Sequence, residues 1–130
     1  MVTIDRAAQM AAELPGVAEG TRHGHRTWFV GTKGFAWERP FSKADIKRFG
    51  AETPPQGPIL AVSADDLADK AAVLAAGHVG FFDIEHFKGY PAYLIELEVV
   101  AEDELREAIV DGWLTAAPPD VAEAYLNDHP

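Results

Sequence analysis

The spacing of apolar positions changes from segment to segment along the chain, and each spacing predicts an element. Ile4, Ala7, Ala8, Ala11 and Leu14 recur three or four residues apart, so a helix would carry them all on one face. Thr3 is placed to cap the first turn, and Pro15-Gly16 stops the helix because neither residue supports its continuation. Arg26–Val30 and Phe35–Arg39 are rich in branched and aromatic residues and read as two strands. Gly31-Thr32-Lys33-Gly34 between them has the glycines a hairpin turn needs for positive φ. After Pro40, Ser42-Lys43-Ala44-Asp45 has the pattern of a capping box and predicts a short helix over Lys43–Phe49. Gly50–Pro58, with three prolines and two glycines, reads as a surface loop.

Ile59–Val62 is a continuous apolar run and predicts a buried strand. A helix follows over Asp65–Ala76, capped by Ser63 or a neighbour and ended by Gly77, with Asp65, Asp66 and Asp69 at the positive end of its dipole. Val79–Ile84 is a further strand candidate, His86–Pro91 turns the chain, and Ala92–Val100 forms another strand. In that strand Tyr93, Ile95, Leu97 and Val99 alternate with Glu96 and Glu98, which places the two sets on opposite faces. Glu102–Thr115 predicts a helix with Leu105, Ala108, Ile109, Gly112 and Trp113 on one side. Pro118-Pro119 opens a last short helix carrying Val121, Ala122, Tyr125 and Leu126. With no repeat or linker, the expectation is one compact α+β domain over residues 1–130. Its sheet is mainly antiparallel, with helices at the N-terminus, in the middle and at the C-terminus.

Composition narrows the function. The 130 residues are 48% apolar and 25% charged, as in a globular domain. The absence of cysteine excludes disulfides, thiolate catalysis and zinc–thiolate sites. Met1–Leu14 lacks the basic start and apolar run of a signal peptide, and no stretch reaches the length of a membrane span. The expectation is therefore a cytoplasmic protein with no membrane partner. A net charge of −10 argues against indiscriminate binding to nucleic acid, whose affinity comes from Lys and Arg contacts to phosphate. That charge is uneven. Residues 22–48 hold seven basic side chains and two acids, a local +5, and the remaining chain carries −15.

Two segments hold candidate chemistry. Arg22, Arg26, Lys33, Arg39, Lys43, Lys47 and Arg48 are interleaved with Trp28, Phe29, Phe35 and Trp37. Basic and aromatic side chains on a hairpin can follow a phosphate backbone and stack on bases. The same pattern also fits a solvated hairpin whose aromatics belong to the core. The second segment is the turn His86–Pro91, where Phe87, Tyr90 and then Tyr93 lie with Lys88 between two strands and could form the rim of a groove. His23 and His25 with Glu19, and His86 with Asp83 and Glu85, are of metal-ligating type, but a site needs three or four convergent ligands with a second shell, and these loose clusters read as surface hydrogen-bonding groups. Ser42 and Ser63 read as helix caps, and no nucleophile elbow or phosphate-binding glycine loop is present. Glu102, Asp103, Glu104 and Glu107 read as a solvated helix face. The expectation is no catalytic residue, no metal and no cofactor.

Leu14-Pro15-Gly16-Val17 followed by Glu19-Gly20-Thr21, the Trp28-Phe29-Val30 strand leading through Gly31–Gly34 to Phe35-Ala36, and the Lys88-Gly89-Tyr90-Pro91 turn occur in an order that resembles the MmcQ/YjbR family. The Tyr93–Leu97 strand and the Asp103-Glu104-Leu105…Asp111-Gly112-Trp113 helix extend the likeness, which covers residues 3 to 126. The resemblance implies a double-wing α+β fold similar in layout to CyaY/frataxin-like domains, in a family often labelled DNA-binding. Two functions follow as expectations. One is a non-enzymatic protein that binds DNA through the basic hairpin segment 22–48, with Lys88 as an outlying cation. The other is a protein-interaction or small-ligand module that uses the sheet face and the aromatic turn 86–93, with Trp28, Trp37, Phe87, Tyr90 and Tyr93 at its rim.

Overall fold

Thr3 Oγ1 accepts the Arg6 backbone N–H at 3.1 Å and starts α1, Ile4–Ala12. The computed structural model describes residues 1–129. Three strands follow in succession: β1 (Val17–Arg22), β2 (His25–Val30) and β3 (Lys33–Glu38). Then come α2 (Lys43–Arg48), β4 (Ile59–Ser63), α3 (Leu67–Ala75), β5 (Phe81–Phe82), a 3-10 turn at Glu85–Phe87 and β6 (Ala92–Glu96). The chain ends in α4 (Glu102–Ala116) and α5 (Pro119–Asp128). The six strands form one sheet in the order β1-β2-β3-β4-β6-β5, with every neighbouring pair antiparallel. The expected α+β domain with a mainly antiparallel sheet is the fold observed. None of its helices is long and apolar enough to cross a membrane, among the described residues.

Three predicted elements differ. β1 falls where no strand was expected, because Val-Ala-Glu-Gly-Thr-Arg has no apolar alternation; it is an edge strand held by its pairing with β2. The Val79–Ile84 strand shrinks to Phe81–Phe82, and Val79 is exposed. The strand expected to reach Val100 stops at Glu96, whose carbonyl accepts the N–H groups of both Val99 and Val100 and turns the chain. Val99 is accordingly exposed and does not share the face of Tyr93.

The sheet is covered unequally. On one face α1 and α4 bury Trp28, Phe35, Ala36, Val62, Tyr93 and Ile95 together with Met10, Leu105, Ile109 and Trp113. A bulge in β3 serves this face: Trp28 pairs with Ala36 and Phe29 with Gly34, so Phe35 is the extra residue and joins the core. Helix α4 crosses closely at Gly112, where a Cβ would lie 2.7 Å from Val62 Cγ1. Two ion pairs, Arg6–Glu102 and Arg106–Glu13, tie α1 to α4, and Trp113 Nε1 donates to Pro15 O at 2.9 Å. On the other face a smaller cluster of Ile59, Ala61, Ala92 and Leu94 is roofed by Ile84, Phe87, Phe41 and Phe49. That apolar roof reaches Trp37 and goes no further, so the β1–β2 half of this face carries no second hydrophobic layer, although Thr27 within it is itself buried.

Candidate ligand-binding cleft

The cleft lies where the roof ends. Cross-strand partners place Arg22 beside His25, Gly20 beside Thr27, and Thr27 beside Trp37, all on the uncovered face. Opposite them stand Phe41, Ser42, Ala44, Asp45 and Arg48 from the α2 segment, and His86, Phe87 and Tyr90 from the late turn. Together these residues line an open cleft of about 960 Å³. Behind Asp45 and Arg48 is a smaller pit of about 260 Å³, lined also by Glu52, Asp83, Glu85 and Lys88. Its several carboxylates make it poorly suited to an anion, whereas Asp45 is the one acid in the larger cleft.

Local structure explains how the sheet wall is held. His23 and Gly24 both have positive φ, 55° and 79°, which is the geometry of the two-residue turn that matches strand twist. Glycine takes this conformation freely, but for His23 it costs on the order of 1 kcal/mol. The Arg22 guanidinium lies 4.9 Å from the centre of the Phe29 ring, and its Nη2 donates to Thr32 O at 3.2 Å. No carboxylate lies within ion-pair distance of Arg22 among the described residues. A Cβ at Gly34 would come within 3.1 Å of Thr27 Cγ2 and 3.3 Å of Arg22 Nη1, so a larger residue there would fill the cleft floor.

The opposite wall depends on two buried charges. Asp45 Oδ2 accepts the Ser42 N–H and pairs with Arg39 Nη1, both at 2.9 Å, while the Asp45 N–H donates to Ser42 Oγ at 3.1 Å. This reciprocal cap is the capping box read from the sequence. Burial pushes the Asp45 carboxyl up, but the Ser42 backbone N–H and Arg39 outweigh it and hold it below the ordinary range. Arg48 Nη1 is more distant from Asp45, at 3.9 Å. Arg39 also lies over the Phe87 ring at 5.5 Å. From α3, Lys70 reaches beneath the late turn. Its Nζ donates to Phe87 O at 2.6 Å and Tyr90 O at 2.9 Å, and pairs with Asp83 at 3.1 Å. Three acceptors match the three ammonium protons, so this buried cation fixes the turn that presents Phe87 and Tyr90.

The sequence-predicted residues divide. Arg22, Arg39, Arg48, Trp37, Phe87 and Tyr90 come together at the cleft. Arg26 projects on the helix-covered face, where it pairs with Glu19 and Asp5 and lies over Trp28; its hydrogen bonds hold the Glu19 carboxyl below its ordinary range. Lys33 approaches Thr115 O at 3.4 Å, Lys43 and Lys47 stand exposed on α2, and Lys88 pairs with Glu85. Trp28 and Tyr93, expected at a rim, are instead core residues, 1% and 2% exposed, because their strand positions face α1 and α4. Burial correspondingly raises the Tyr93 phenol above its ordinary range. Phe87 is buried at 4% exposure, while Tyr90 is 49% exposed. His23, His25 and His86, read from the sequence in two separate loose clusters of metal-ligating type, all line the cleft, but no metal-holding group of three such ligands forms among the described residues. Phe41, Thr27 and Lys70 were not singled out in the sequence. Phe41 follows a proline outside any periodic run, and Lys70 reads as an ordinary helix-surface lysine.

Fold and site define a single α+β domain whose sheet leaves half of one face open as a basic and aromatic cleft. No family model matches the chain. The uncharacterized proteins Mb2600 of Mycobacterium bovis and Rv2570 of Mycobacterium tuberculosis are each 39% identical to it over 129 residues, covering 97% of this chain and 97% of theirs. The chain belongs to the family that these mycobacterial proteins represent.

Proposed function

We propose that this is a non-enzymatic, cytoplasmic binding module that holds a small organic molecule in the cleft between the β1–β2–β3 face and the 86–90 turn. The cleft carries the reading. Its volume of about 960 Å³ falls in the range of small-molecule sites, and its lining sets the rings of Trp37, Phe41, Phe87 and Tyr90 among charged and polar side chains such as Arg22, His25, Arg48 and His86. The Ser42 hydroxyl in that lining is engaged as a helix cap, which supports binding rather than nucleophilic chemistry. The MmcQ/YjbR resemblance is part of the proposal, supported by the two successive hairpins of β1, β2 and β3 that would serve as a wing.

Duplex DNA along the basic hairpin is the competing reading and has less support. Arg26, Arg39 and Arg48 already face carboxylates, and Arg26 and Arg22 project from opposite faces of the sheet.

A library of small aromatic acids, amines and neutral rings screened by thermal melting tests the proposal. A ligand at a hundred times its Kd stabilises the fold by about 2.7 kcal/mol. Selected compounds should therefore raise the melting temperature of the wild type and fail with Gly34→Leu or Ala44→Trp, which fill the cleft from opposite walls. Equal stabilisation of the filled variants, or no stabilisation of the wild type by any compound, would overturn it. Duplex binding that weakens steeply with salt would favour the DNA reading instead.

A further inference from the structure

The cleft's chemistry narrows its occupant, on the reading just given. We infer that the ligand is a flat aromatic acid, whose ring lies along Trp37 and Tyr90 and whose carboxylate or phosphate is received by Arg22. Three arginines face this space against one acid, and that acid, Asp45, is already saturated by Ser42 and Arg39. Arg22 differs from the other two arginines in facing no carboxylate. One of its N–H groups is directed to Thr32 O, and the remaining fork is available for a planar oxyanion. His25, its cross-strand partner, and His23 stand beside it as further hydrogen-bonding groups.

The remainder of the protein sharpens this selectivity. A chain of net charge −10 repels large polyanions, whereas a recessed basic cleft concentrates a small anion. Simple phosphate would leave the aromatic wall wet, and a neutral ring would leave the exposed Arg22 guanidinium bonded only to Thr32 O and water. A molecule bearing both parts satisfies both walls.

Calorimetric titration with four probes tests this: 1-naphthoate, 1-naphthyl phosphate, the neutral 1-naphthalenemethanol and inorganic phosphate. Both ring-bearing anions should bind, each at least about tenfold more tightly than the neutral alcohol or phosphate alone. The tighter of the two identifies the preferred acid. Arg22→Gln should erase the preference for anion over alcohol, and Arg22→Lys should keep part of it, with the melting temperature lowered only by the small loss of the exposed Phe29 and Thr32 contacts. If the alcohol binds as tightly as naphthoate, the aromatic-acid inference is overturned while the cleft reading stands. If no probe binds, the inference is also overturned, and the library screen decides on the cleft separately.

Discussion

Replacing Lys70 with methionine keeps the unbranched apolar stem and removes the terminal ammonium and its charge. The Lys70 side chain is 6% exposed, and its ammonium satisfies the carbonyls of Phe87 and Tyr90 and the carboxylate of Asp83. Hydrogen bonds to a charged group contribute about 1.5–3 kcal/mol each, and breaking a buried ion pair costs about 3–5 kcal/mol. These figures overlap and do not add. Asp83 is 29% exposed and can rehydrate, and methionine fills the vacated channel. The net loss should be about 2–4 kcal/mol, or roughly 8–15 °C in melting temperature for a domain of this size. Urea unfolding followed by tryptophan fluorescence measures it, as a lower midpoint with an unchanged slope. Amide exchange adds a local signature: Phe87, Lys88 and Tyr90, whose N–H groups bond within the turn, should exchange faster while α4 amides keep their rank. A loss under about 0.5 kcal/mol, or an even acceleration across the domain, would refute the claim that Lys70 fixes this turn.

Asp45→Asn should cost about 1–3 kcal/mol near neutrality. Because the folded carboxyl lies below its ordinary range, its contribution is fully present above the unfolded pKa of about 3.9 and is lost as pH falls through the folded value. The gap between wild type and variant, measured by urea melts across pH, should therefore close in acid. Gly112→Ala should destabilise by about 1–3 kcal/mol despite alanine's better helix propensity, because the new Cβ meets Val62 at 2.7 Å. Combining it with Val62→Ala should cost less than the sum of the two single losses in the same melts. Arg26→Ala should cost no more than about 1 kcal/mol, since its partners Asp5 and Glu19 are 82% and 42% exposed, and high salt should shrink that cost further.

Most of the fold is legible in the sequence because local signals and packing agree. Thr3 caps α1, Ser42 and Asp45 cap α2 reciprocally, and the glycine-containing turn expected at Gly31–Gly34 joins β2 to β3 through Gly31-Thr32. β1 is illegible because an edge strand exposed on both sides needs no apolar alternation, and its Gly20 and Arg22 resemble a loop. The late strand is overextended because Leu97 and Val100 are buried in a turn rather than in a ladder, so their hydrophobicity continues a pattern that the backbone has left. For the cleft, both walls are visible beforehand as the basic stretch 22–48 and the turn 86–91. Their meeting is not, since it follows from β3 and β6 flanking β4 in the sheet. The parity of Trp28 and Tyr93 is likewise decided by which face α4 covers. The +5 of the hairpin segment proves to be two populations. Arg26 belongs to the helix side, and Arg22 belongs to the open face.

The three indole N–H signals provide the most direct test of the cleft. Trp28 and Trp113 are 1% and 0% exposed in the core, while Trp37 is half-buried at the cleft wall. Titration of the ¹⁵N-labelled protein with 1-naphthoate should shift the Trp37 indole signal and leave the other two in place, with the shift lost in Gly34→Leu. An unmoved Trp37 signal, or an equal shift in the filled variant, would contradict the account.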